Sequence, residues 1–557
     1  MPTGGEILIR QLVSEGVKHL FTVPGESFIS VLDAVHSDHR IRPITCRNES
    51  GAAMMAEATG KLTGIPGVAI VTRGPGTANA FAGVYIAAQD ASPMVLLVGL
   101  PARAMAERPA FQAIDLQSVF STLAKWCAIV PDAASIPEFI SRAFRTARFG
   151  RPGPVVLGLP EDMLSETSEA ATRAHVQLMD AAPTAAHLEI IRDALAHAER
   201  PLVIVGGLPW SPSASAALVR FAERFDLPVA CAFRRQDHFD NRHRCYVGHA
   251  GLGMDAQLVA GIRAADCVIA IGTRLGDITT QGFTLLTGQS QGQQLIHVAS
   301  DAGDPESAYT HALQISASPI ATLEALADVE PTIATPPLGI WRRDLRAAYV
   351  TSVKPQRTPG CVQLEDVIAT LSERLPETAI ITNGAGNYAA FLHRYFVYKS
   401  YPSQLAPISG SMGYGLPAAI AAKLAYPDPC VVALAGDGCF QMTGQELATA
   451  VQYALPIVII IANNGSLGTI RMHQERQFPG RVSATSLINP DFVALAKSCG
   501  AAAKRISETA QFADALDSAL HIAASTQRPV VLELALDVEA ISPRETISGI
   551  RSAAQKI

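Results

Sequence analysis

Short apolar runs alternate with longer alanine-rich stretches from one end of the chain to the other. Within each run the apolar residues are continuous, and glycine, proline or a polar turn follows. Continuous runs of about four to eight residues are typical of strands that are buried on both faces. The runs interpreted as strands are HLFTV, GVAIVT, PMVLLVG, PVVLGLP, PLVIVGG, CVIAIGT, QLIHVAS, AIITNG, VVALAG, PIVIII and PVVLELAL.

Strands that alternate with helices predict parallel sheets covered by helices on both faces. Two stretches, about 162–186 and about 329–360, lack this alternation and are interpreted as linkers. With 557 residues the chain has room for three or four domains of about 150 residues. We therefore predict an α/β protein of three doubly wound parallel-sheet domains, at residues 1–161, 187–328 and 361–545. The first and third of these domains have a similar rhythm of strands and helices.

The composition indicates an oligomer. Hydrophobic residues make up 48% of the chain and charged residues 17%, below the roughly 25% charge of an average domain. Much of the surface is therefore expected to be covered by other domains or by sister subunits. A net charge of -6 without a basic block gives no electrostatic case for nucleic acid or an anionic membrane as a partner.

Cysteine usage and hydropathy bear on the compartment. The nine cysteines are scattered singly and form no metal-ligand spacing, which fits a reduced cytoplasmic interior. The N-terminal segment lacks the uninterrupted apolar core of a signal peptide. No apolar stretch reaches the roughly 18 residues needed to span a bilayer. We therefore expect a cytoplasmic protein.

A carboxylate and two amides follow two of the predicted strands. Gly436-Asp437-Gly438 comes directly after VVALA, and PIVIIIA ends at Asn463-Asn464. The 27 positions from Asp437 to Asn464 are about one crossover unit, so both side chains should meet at the carboxyl edge of one sheet. One carboxylate, one amide oxygen and a backbone carbonyl suit Mg²⁺ when phosphate oxygens and water complete its octahedron. This pattern predicts a phosphorylated ligand.

The same residues have a simpler interpretation. Aspartate often caps a helix, and consecutive asparagines often form a turn. Taken alone, the GDG and NN motifs leave both interpretations open.

The full set of motifs resembles the thiamine diphosphate (ThDP) enzyme superfamily of acetolactate synthases, pyruvate oxidases and benzaldehyde lyases. The motifs that carry the resemblance, beside GDG and NN, are FTVPGESF, CRNESGAAMMAEATGKLTG, TRGPGTANA, FQAIDLQSVFSTLAKW, RPGPVVLGLP and ISGSMGYGLPAAIAA. They occur in the family's order over nearly the whole chain. The resemblance implies the three-domain fold of this family and the cofactors ThDP and Mg²⁺.

The resemblance also implies site residues. Asp437, the Asn464 side chain and the main-chain oxygen of Ser466 would bind the metal. The loop 383–388 would hold the diphosphate, although Asn387 and Tyr388 replace the family's usual pair and a simple strand-to-helix turn is the alternative. The residues expected to bind the cofactor are Gly25, Glu49, Asn79, Gly386, Asn387, Tyr388, Gly410, Met412, Gly436, Asp437, Gly438, Asn464 and Ser466.

Two residues are expected to be catalytic. Glu49 follows the strand RPITC, and in the family this glutamate hydrogen-bonds the pyrimidine ring of ThDP and promotes loss of the thiazolium C2 proton. Gln112 matches a glutamine near the reacting carbon and could donate to a substrate oxygen. Met412 matches the apolar residue that supports the bent cofactor. By themselves, Glu49 could be a favourable first-turn carboxylate and Met412 could be core filler.

Glu49 and Asp437 lie in different predicted domains, and in relatives these two residues come from different subunits. The resemblance therefore implies a homodimer as the minimal active unit and a homotetramer as the assembly.

Several substrate-side residues depart from the family pattern. Arg73 replaces a small residue and could face a carboxylate or lie on the rim. His473 replaces a tryptophan and could donate a proton or be an ordinary helix residue. Thr469 replaces a methionine. Glu26 and Ser27 stand where relatives carry glycine, alanine, serine or a catalytic histidine, so the histidine of benzaldehyde lyases is missing here.

The leading functional hypothesis is acetolactate synthase-like carboligation, which breaks and forms C–C bonds of 2-keto acids or aldehydes. A non-oxidative decarboxylase or aldehyde lyase acting on a bulkier substrate is one alternative. A flavin-dependent oxidase is another, since Gly206-Gly207 and the segment 272–282, with Arg274, resemble a flavin-contacting region. FAD in the middle domain is an open alternative, because glycine turns are common in such folds. A non-catalytic relative is disfavoured by the presence of both Glu49 and Asp437.

Overall fold

The computed structural model describes residues 1–179, 181–286, 292–300, 309, 313–331 and 339–556. The second predicted linker therefore falls partly outside the described residues, at 332–338. Within the described residues no helix is both long enough and apolar enough to span a membrane.

The N-terminal sheet has six parallel strands in the order β2-β1-β3-β4-β6-β5. Its strands are β1 His19–Thr22, β2 Arg42–Thr45, β3 Gly67–Thr72, β4 Met94–Leu100, β5 Trp126–Ile129 and β6 Pro154–Pro160. The helices that cover it are α1 Gly4–Ser14, α2 Ile29–Ser37, α3 Glu49–Thr63, α4 Arg73–Asp90, α5 Leu116–Phe120, α6 Ile136–Arg148 and α7 Glu161–Ser165.

The middle sheet also has six parallel strands, in the order β12-β11-β10-β7-β8-β9. Its strands are β7 Pro201–Val205, β8 Val229–Ala232, β9 Tyr246–Ala250, β10 Cys267–Ile271, β11 Gln294–Ala299 and β12 Leu313–Ser316. Its helices are α8 Ala185–His197, α9 Pro212–Arg224, α10 Ala256–Ala264, α11 Pro319–Leu326 and α12 Gly339–Ser352. Renumbered within the domain, this order is 3-2-1-4-5-6, which is typical of dinucleotide-binding folds.

The C-terminal sheet has the order β14-β13-β15-β16-β18-β17. Its strands are β13 Ile380–Asn383, β14 Gln404–Leu405, β15 Val431–Gly436, β16 Ile457–Asn463, β17 Ala502–Ile506 and β18 Val530–Ala535. Its helices are α13 Leu364–Arg374, α14 Tyr388–Tyr395, α15 Gly415–Ala425, α16 Asp437–Gln441, α17 Glu446–Gln452, α18 Gly468–Gln477, α19 Phe492–Ser498, α20 Phe512–Thr526 and α21 Ile547–Ala554. Renumbered within each domain, the first and third sheets have the same order, 2-1-3-4-6-5.

Helices cover both faces of these sheets, as the continuous apolar runs predict. In β4, Val95 and Leu97 pack into one core, while Leu96 and Val98 pack into the core on the opposite face. The second of these cores also contains Ala433 of the C-terminal sheet, so the first and third domains share one apolar core. The predicted fold class, three α/β domains with parallel sheets, is confirmed. The exact domain bounds 1–161, 187–328 and 361–545 remain a proposal.

Candidate active site

Asp437 is a buried carboxylate at the carboxyl edge of the C-terminal sheet. Asp437 directly follows β15 in the chain and is only 2% exposed. Oδ1 accepts a 2.9 Å hydrogen bond from the Gly438 amide, and Oδ2 accepts one of 2.7 Å from Asn489 Nδ2. Burial raises the pKa of Asp437, and the Asn489 bond acts against this rise. No side-chain cation in the described part of the chain pairs with this carboxylate.

Asn464 and Ser466 lie beside Asp437. Strands β15 and β16 are paired in parallel, with Gly436 opposite Ala462, so their ends meet as the spacing predicts. Asp437, Asn464 and Ser466 line one cavity of about 270 Å³. Asn464 Oδ1 accepts a 3.1 Å hydrogen bond from the Ser466 amide. The asparagine thus also forms a local turn, whereas the start of α16 has no side-chain cap.

The predicted diphosphate loop forms another wall of this cavity. Gly386 has a φ of 146°, which favours glycine. A Cβ at Gly386 or at Gly436 would lie less than 3 Å from the ring of Tyr388. The Tyr388 hydroxyl accepts a 3.1 Å bond from the Gly384 amide and lies 3.3 Å from Cys439 Sγ, and burial raises the Tyr388 pKa. Tyr388 therefore supports the loop through its buried ring.

Asn387 connects the loop to two later segments. Its Nδ2 donates a 2.9 Å hydrogen bond to the Ile541 carbonyl, and its Oδ1 accepts one of 2.9 Å from the Thr469 hydroxyl. Thr469 lies in the first turn of α18 and, like Ile541, lines the cavity. The replacement residue Asn387 thus holds α18 and the C-terminal segment against the predicted diphosphate loop.

The cavity gathers every candidate from the C-terminal domain. The candidates that line it are Gly386, Asn387, Tyr388, Gly410, Met412, Gly436, Asp437, Gly438, Asn464 and Ser466. A buried carboxylate without a cation, an adjacent amide oxygen and glycine backbone fit a divalent cation that carries a diphosphate. Among the described residues no group of three or more His, Cys, Asp and Glu side chains could hold a metal. Asp437, the Asn464 amide oxygen and a backbone carbonyl leave coordination positions that phosphate oxygens and water suit.

Glu49 lies in a second group of candidates, at the carboxyl edge of the N-terminal sheet. It starts α3 and is half-buried in the single chain. Asn79 Nδ2 donates a 2.9 Å hydrogen bond to Glu49 Oε2. Gln112 has a left-handed φ of 58°, and its carbonyl accepts a 2.9 Å hydrogen bond from the Gly74 amide in the first turn of α4. Gly25 packs directly against Thr72 at the end of β3.

In the single chain these two groups remain apart. None of Gly25, Glu49, Asn79 and Gln112 lines the cavity around Asp437, as far as the described residues show.

Two contributing residues were missed by the sequence reasoning. Asn489 bonds both Asp437 and, at 2.8 Å, Asn463 Oδ1. Glu446 Oε1 accepts hydrogen bonds of 2.9 and 3.0 Å from the Arg47 and Asn48 amides, which fixes the start of α3 from the third domain. Neither residue belongs to a motif that was recognised: Glu446 starts α17 and Asn489 precedes α19, and polar residues are common at such positions.

The substrate-side departures have different surroundings. Arg73 is buried at a left-handed φ of 42° and pairs with Glu26 at 3.2 Å and with Glu161 at 2.7 Å. Arg73 therefore faces carboxylates, which was one of the two expectations, but these carboxylates belong to the protein itself. His473 is exposed on α18.

A larger cavity of about 550 Å³ lies where the three domains meet. Gly207 after β7 and Gly272 after β10 line it together with Arg274, and Asp90 and Ile408 line it from the other two domains. Strands β7 and β10 are the neighbours at which the strand order of the middle sheet reverses. Ligands of open α/β sheets bind at such a switch point.

Comparisons with known proteins agree with this fold. Three family models match the chain: the N-terminal TPP binding domain of thiamine pyrophosphate enzymes at residues 2–119, the central domain at 188–326 and the C-terminal TPP binding domain at 384–534.

Curated relatives match over nearly their whole length. The chain is 31% identical to the acetolactate synthase isozyme 3 large subunit of Escherichia coli, over 93% of this chain and 92% of that protein. It is 30% identical to the acetolactate synthase large subunit of Haemophilus influenzae, over 95% and 93%. It is 29% identical to an acetolactate synthase of Mycobacterium bovis, over 97% and 88%.

Three parallel-sheet domains with these matches define an enzyme that depends on thiamine diphosphate, which is also called thiamine pyrophosphate. The chain belongs to the thiamine pyrophosphate enzyme family, and its curated relatives include acetolactate synthase large subunits.

Proposed function

We propose that this enzyme uses ThDP and Mg²⁺ to break and form C–C bonds of 2-keto acids or aldehydes, in an acetolactate synthase-like carboligation. The observation that carries the proposal is Asp437, a buried carboxylate without a cationic partner among the described residues, in a cavity with Asn464, Ser466 and a glycine-rich loop. The names of the relatives support the same chemistry.

The metal would be held by Asp437, the Asn464 side chain and the Ser466 carbonyl. Backbone amides of the loop 383–388 and of 436–438 would hold the diphosphate. Bound ThDP supplies a thiazolium ring that adds to a carbonyl and accepts the electron pair released when a C–C bond breaks. The protein orients this group and controls protons around it.

Glu49 would hold a proton at a nitrogen of the pyrimidine ring. The 2.9 Å bond from Asn79 fixes Oε2, which leaves Oε1 as the oxygen that can face the ring. Gln112 would donate through its amide to a substrate carbonyl oxygen. The left-handed backbone of Gln112 is strain of the kind that occurs at functional sites.

We propose a homodimer as the minimal active unit and a homotetramer as the assembly, with a cytoplasmic location. The separation of the Glu49 and Asp437 groups in one chain supports a site shared between subunits. Large apolar side chains are exposed in both regions, for example Phe111 at 73%, Met442 at 53% and Ile470 at 54%. A partner subunit that completes the site would cover such residues.

Purified protein with ThDP, Mg²⁺ and pyruvate tests the reaction. We expect the C1–C2 bond of pyruvate to break, carbon dioxide to leave and the remaining two carbons to join an acceptor carbonyl. Glu49→Gln serves as the control that should bind the cofactor without turnover. Absence of both carbon dioxide and carboligation product with wild-type protein would exclude the leading hypothesis.

A decarboxylase or aldehyde lyase for a bulkier substrate is the second candidate. It is favoured by Thr469, a small side chain in the cavity wall where a methionine is usual. A panel of aryl and branched 2-keto acids separates the candidates, because this one predicts aldehyde release and poor turnover of pyruvate.

A flavin-dependent oxidase is the third candidate, and the cavity beside Gly207, Gly272 and Arg274 favours it. FAD fits this place at the switch point of the middle sheet. A yellow purified protein whose flavin absorption is bleached by the keto acid would support it, and a colourless protein that takes up no added FAD would exclude it.

A further inference from the structure

The loop formed by residues 406–412, between β14 and α15, is here named the cofactor loop. Ile408 lines the cavity between the three domains, whereas Gly410 and Met412 line the cavity around Asp437. One short segment therefore separates two cavities. A shift of its first half must move the residues of its second half.

Side chains from the other two domains hold the first half of the cofactor loop. Asp90 Oδ1 accepts a 2.9 Å hydrogen bond from the Ile408 amide. Lys61 Nζ lies 3.4 Å from the Ala406 carbonyl oxygen, and Arg234 of the middle domain donates to the Pro407 carbonyl. The position of Ile408 in the third domain is thus fixed from the first and second domains.

Asp90 is a buried carboxylate that accepts from the Ile408 amide through Oδ1 and faces two cations through Oδ2. It ends α4, is 1% exposed, and its Oδ2 pairs with Lys61. Arg235 Nη2 lies 3.8 Å from the same oxygen. A hydrogen bond to an ionised acceptor is stronger than a neutral one, and its loss in a buried site is costly. The Ile408 amide therefore has a strong and directional anchor.

Glu57 is the neighbouring carboxylate and offers a matched comparison. It is fully buried, lies 3.1 Å from Lys61 Nζ and accepts a 2.6 Å hydrogen bond from the Tyr414 hydroxyl. In the described part of the chain Glu57 has no hydrogen bond to the cofactor loop. The two carboxylates thus share Lys61 but differ in their contact with Ile408.

We propose that Asp90 is a positioning residue for the cofactor loop. By holding the Ile408 amide it sets where Gly410 and Met412 stand, and so sets the affinity for ThDP, although Asp90 does not line the cofactor cavity. The inference rests on the proposed binding of ThDP in the cavity around Asp437.

The experiment compares Asp90→Ala with Glu57→Ala. The Kd for ThDP at saturating Mg²⁺ is measured by isothermal titration calorimetry, and the unfolding midpoint is measured without cofactor. Both variants should lower the midpoint, because each leaves Lys61 with one carboxylate fewer. Only Asp90→Ala should raise the Kd, by about 10- to 100-fold, with Glu57→Ala within about threefold of wild type.

Asp90→Asn provides an intermediate case. Its single side-chain oxygen can accept from the Ile408 amide or face Lys61 and Arg235, but it cannot do both. The Kd should therefore lie between those of wild type and Asp90→Ala while the midpoint stays lowered. Equal Kd values for Asp90→Ala and Glu57→Ala, or an unchanged Kd in Asp90→Ala, would overturn the inference.

If Asp90→Ala does not fold, Arg234→Met tests whether contacts to the first half of the cofactor loop set the Kd for ThDP, because Arg234 donates to the Pro407 carbonyl in the same loop. A raised Kd supports the inference and an unchanged Kd overturns it. If the wild-type protein binds no ThDP, the proposed function is wrong and this inference loses its premise. If the wild type binds ThDP and all variants have the same Kd, only this inference is wrong.

Discussion

Asn489 Nδ2 donates a 2.7 Å hydrogen bond to Asp437 Oδ2, although 52 positions separate these residues in the chain. The same nitrogen lies 2.8 Å from Asn463 Oδ1, and Gln441 Nε2 donates a 2.8 Å hydrogen bond to Asn489 Oδ1. Asn489 therefore orients the proposed metal-binding carboxylate and is itself oriented. Hydrogen-bond partners of this kind hold a metal-binding side chain in its orientation before the metal binds.

Asn489→Ala should weaken Mg²⁺ binding in the presence of ThDP by about 10- to 100-fold, because Asp437 loses the partner that holds its Oδ2. Calorimetric titration of Mg²⁺ measures the effect. Ile488→Ala is the control, since that side chain is adjacent and fully exposed. Equal Mg²⁺ affinities in the two variants would contradict the assigned role.

Removal of the Asn79 side chain should slow proton exchange at C2 of bound ThDP by about tenfold, because Glu49 loses the bond that orients its carboxylate. Hydrogen–deuterium exchange followed by NMR measures this rate for Asn79→Ala. Glu49→Gln should reduce the rate further, and both variants are measured at saturating ThDP. An Asn79→Ala rate equal to that of wild type would show that Glu49 needs no such orientation.

A mixture of two inactive variants should regain activity if the site is shared between subunits. Glu49→Gln and Asp437→Ala each remove one half of the site. In a random dimer mixture half of the dimers contain one chain of each kind, and one of their two sites is intact, which predicts about a quarter of wild-type activity. Turnover of co-expressed chains measures this recovery. No recovery would place both halves in one subunit.

Glu475 should stabilise the docking of α21 at neutral pH and lose this effect at acidic pH. It accepts two 2.8 Å bonds from Arg551 of α21, and it pairs with Arg471 at 2.8 Å. Arg551 is the main cause that lowers the Glu475 pKa from 4.5 to about 2. Because the folded-state pKa is depressed, the stabilisation is present above pH 4.5 and is lost as the pH falls towards 2.

Glu475→Gln should therefore accelerate amide exchange in α21 by about 10- to 100-fold at neutral pH, and the difference from wild type should shrink below pH 4.5. Hydrogen exchange with mass spectrometry measures it. Glu545→Gln is the matched control, because its exposed pair with Arg476 contributes little. A pH-independent difference would contradict the ion-pair explanation.

All the strands that the apolar runs predicted lie inside the three sheets. The runs did not reveal the edge strands β2, β5, β9, β12, β14 and β17, or the short inner strand β8. Central strands are buried on both faces and are continuously apolar, whereas an edge strand such as AAKRI in β17 is partly exposed and mixed in composition. The hydrophobic pattern alone is therefore weak evidence for a strand at the edge of a sheet.

The sequence by itself determined the three-sheet architecture and the pair Asp437 and Asn464, because the alternation of strands and helices is a local pattern and one crossover brings the ends of neighbouring parallel strands to the same edge. Only the tertiary structure decided the partners of these residues: Asn489 on Asp437, Asn79 on Glu49, Glu446 at the start of α3 and Asp90 on the cofactor loop. Most of these contacts join distant segments through single polar side chains, whose direction depends on how the domains pack and leaves no periodic pattern in the chain.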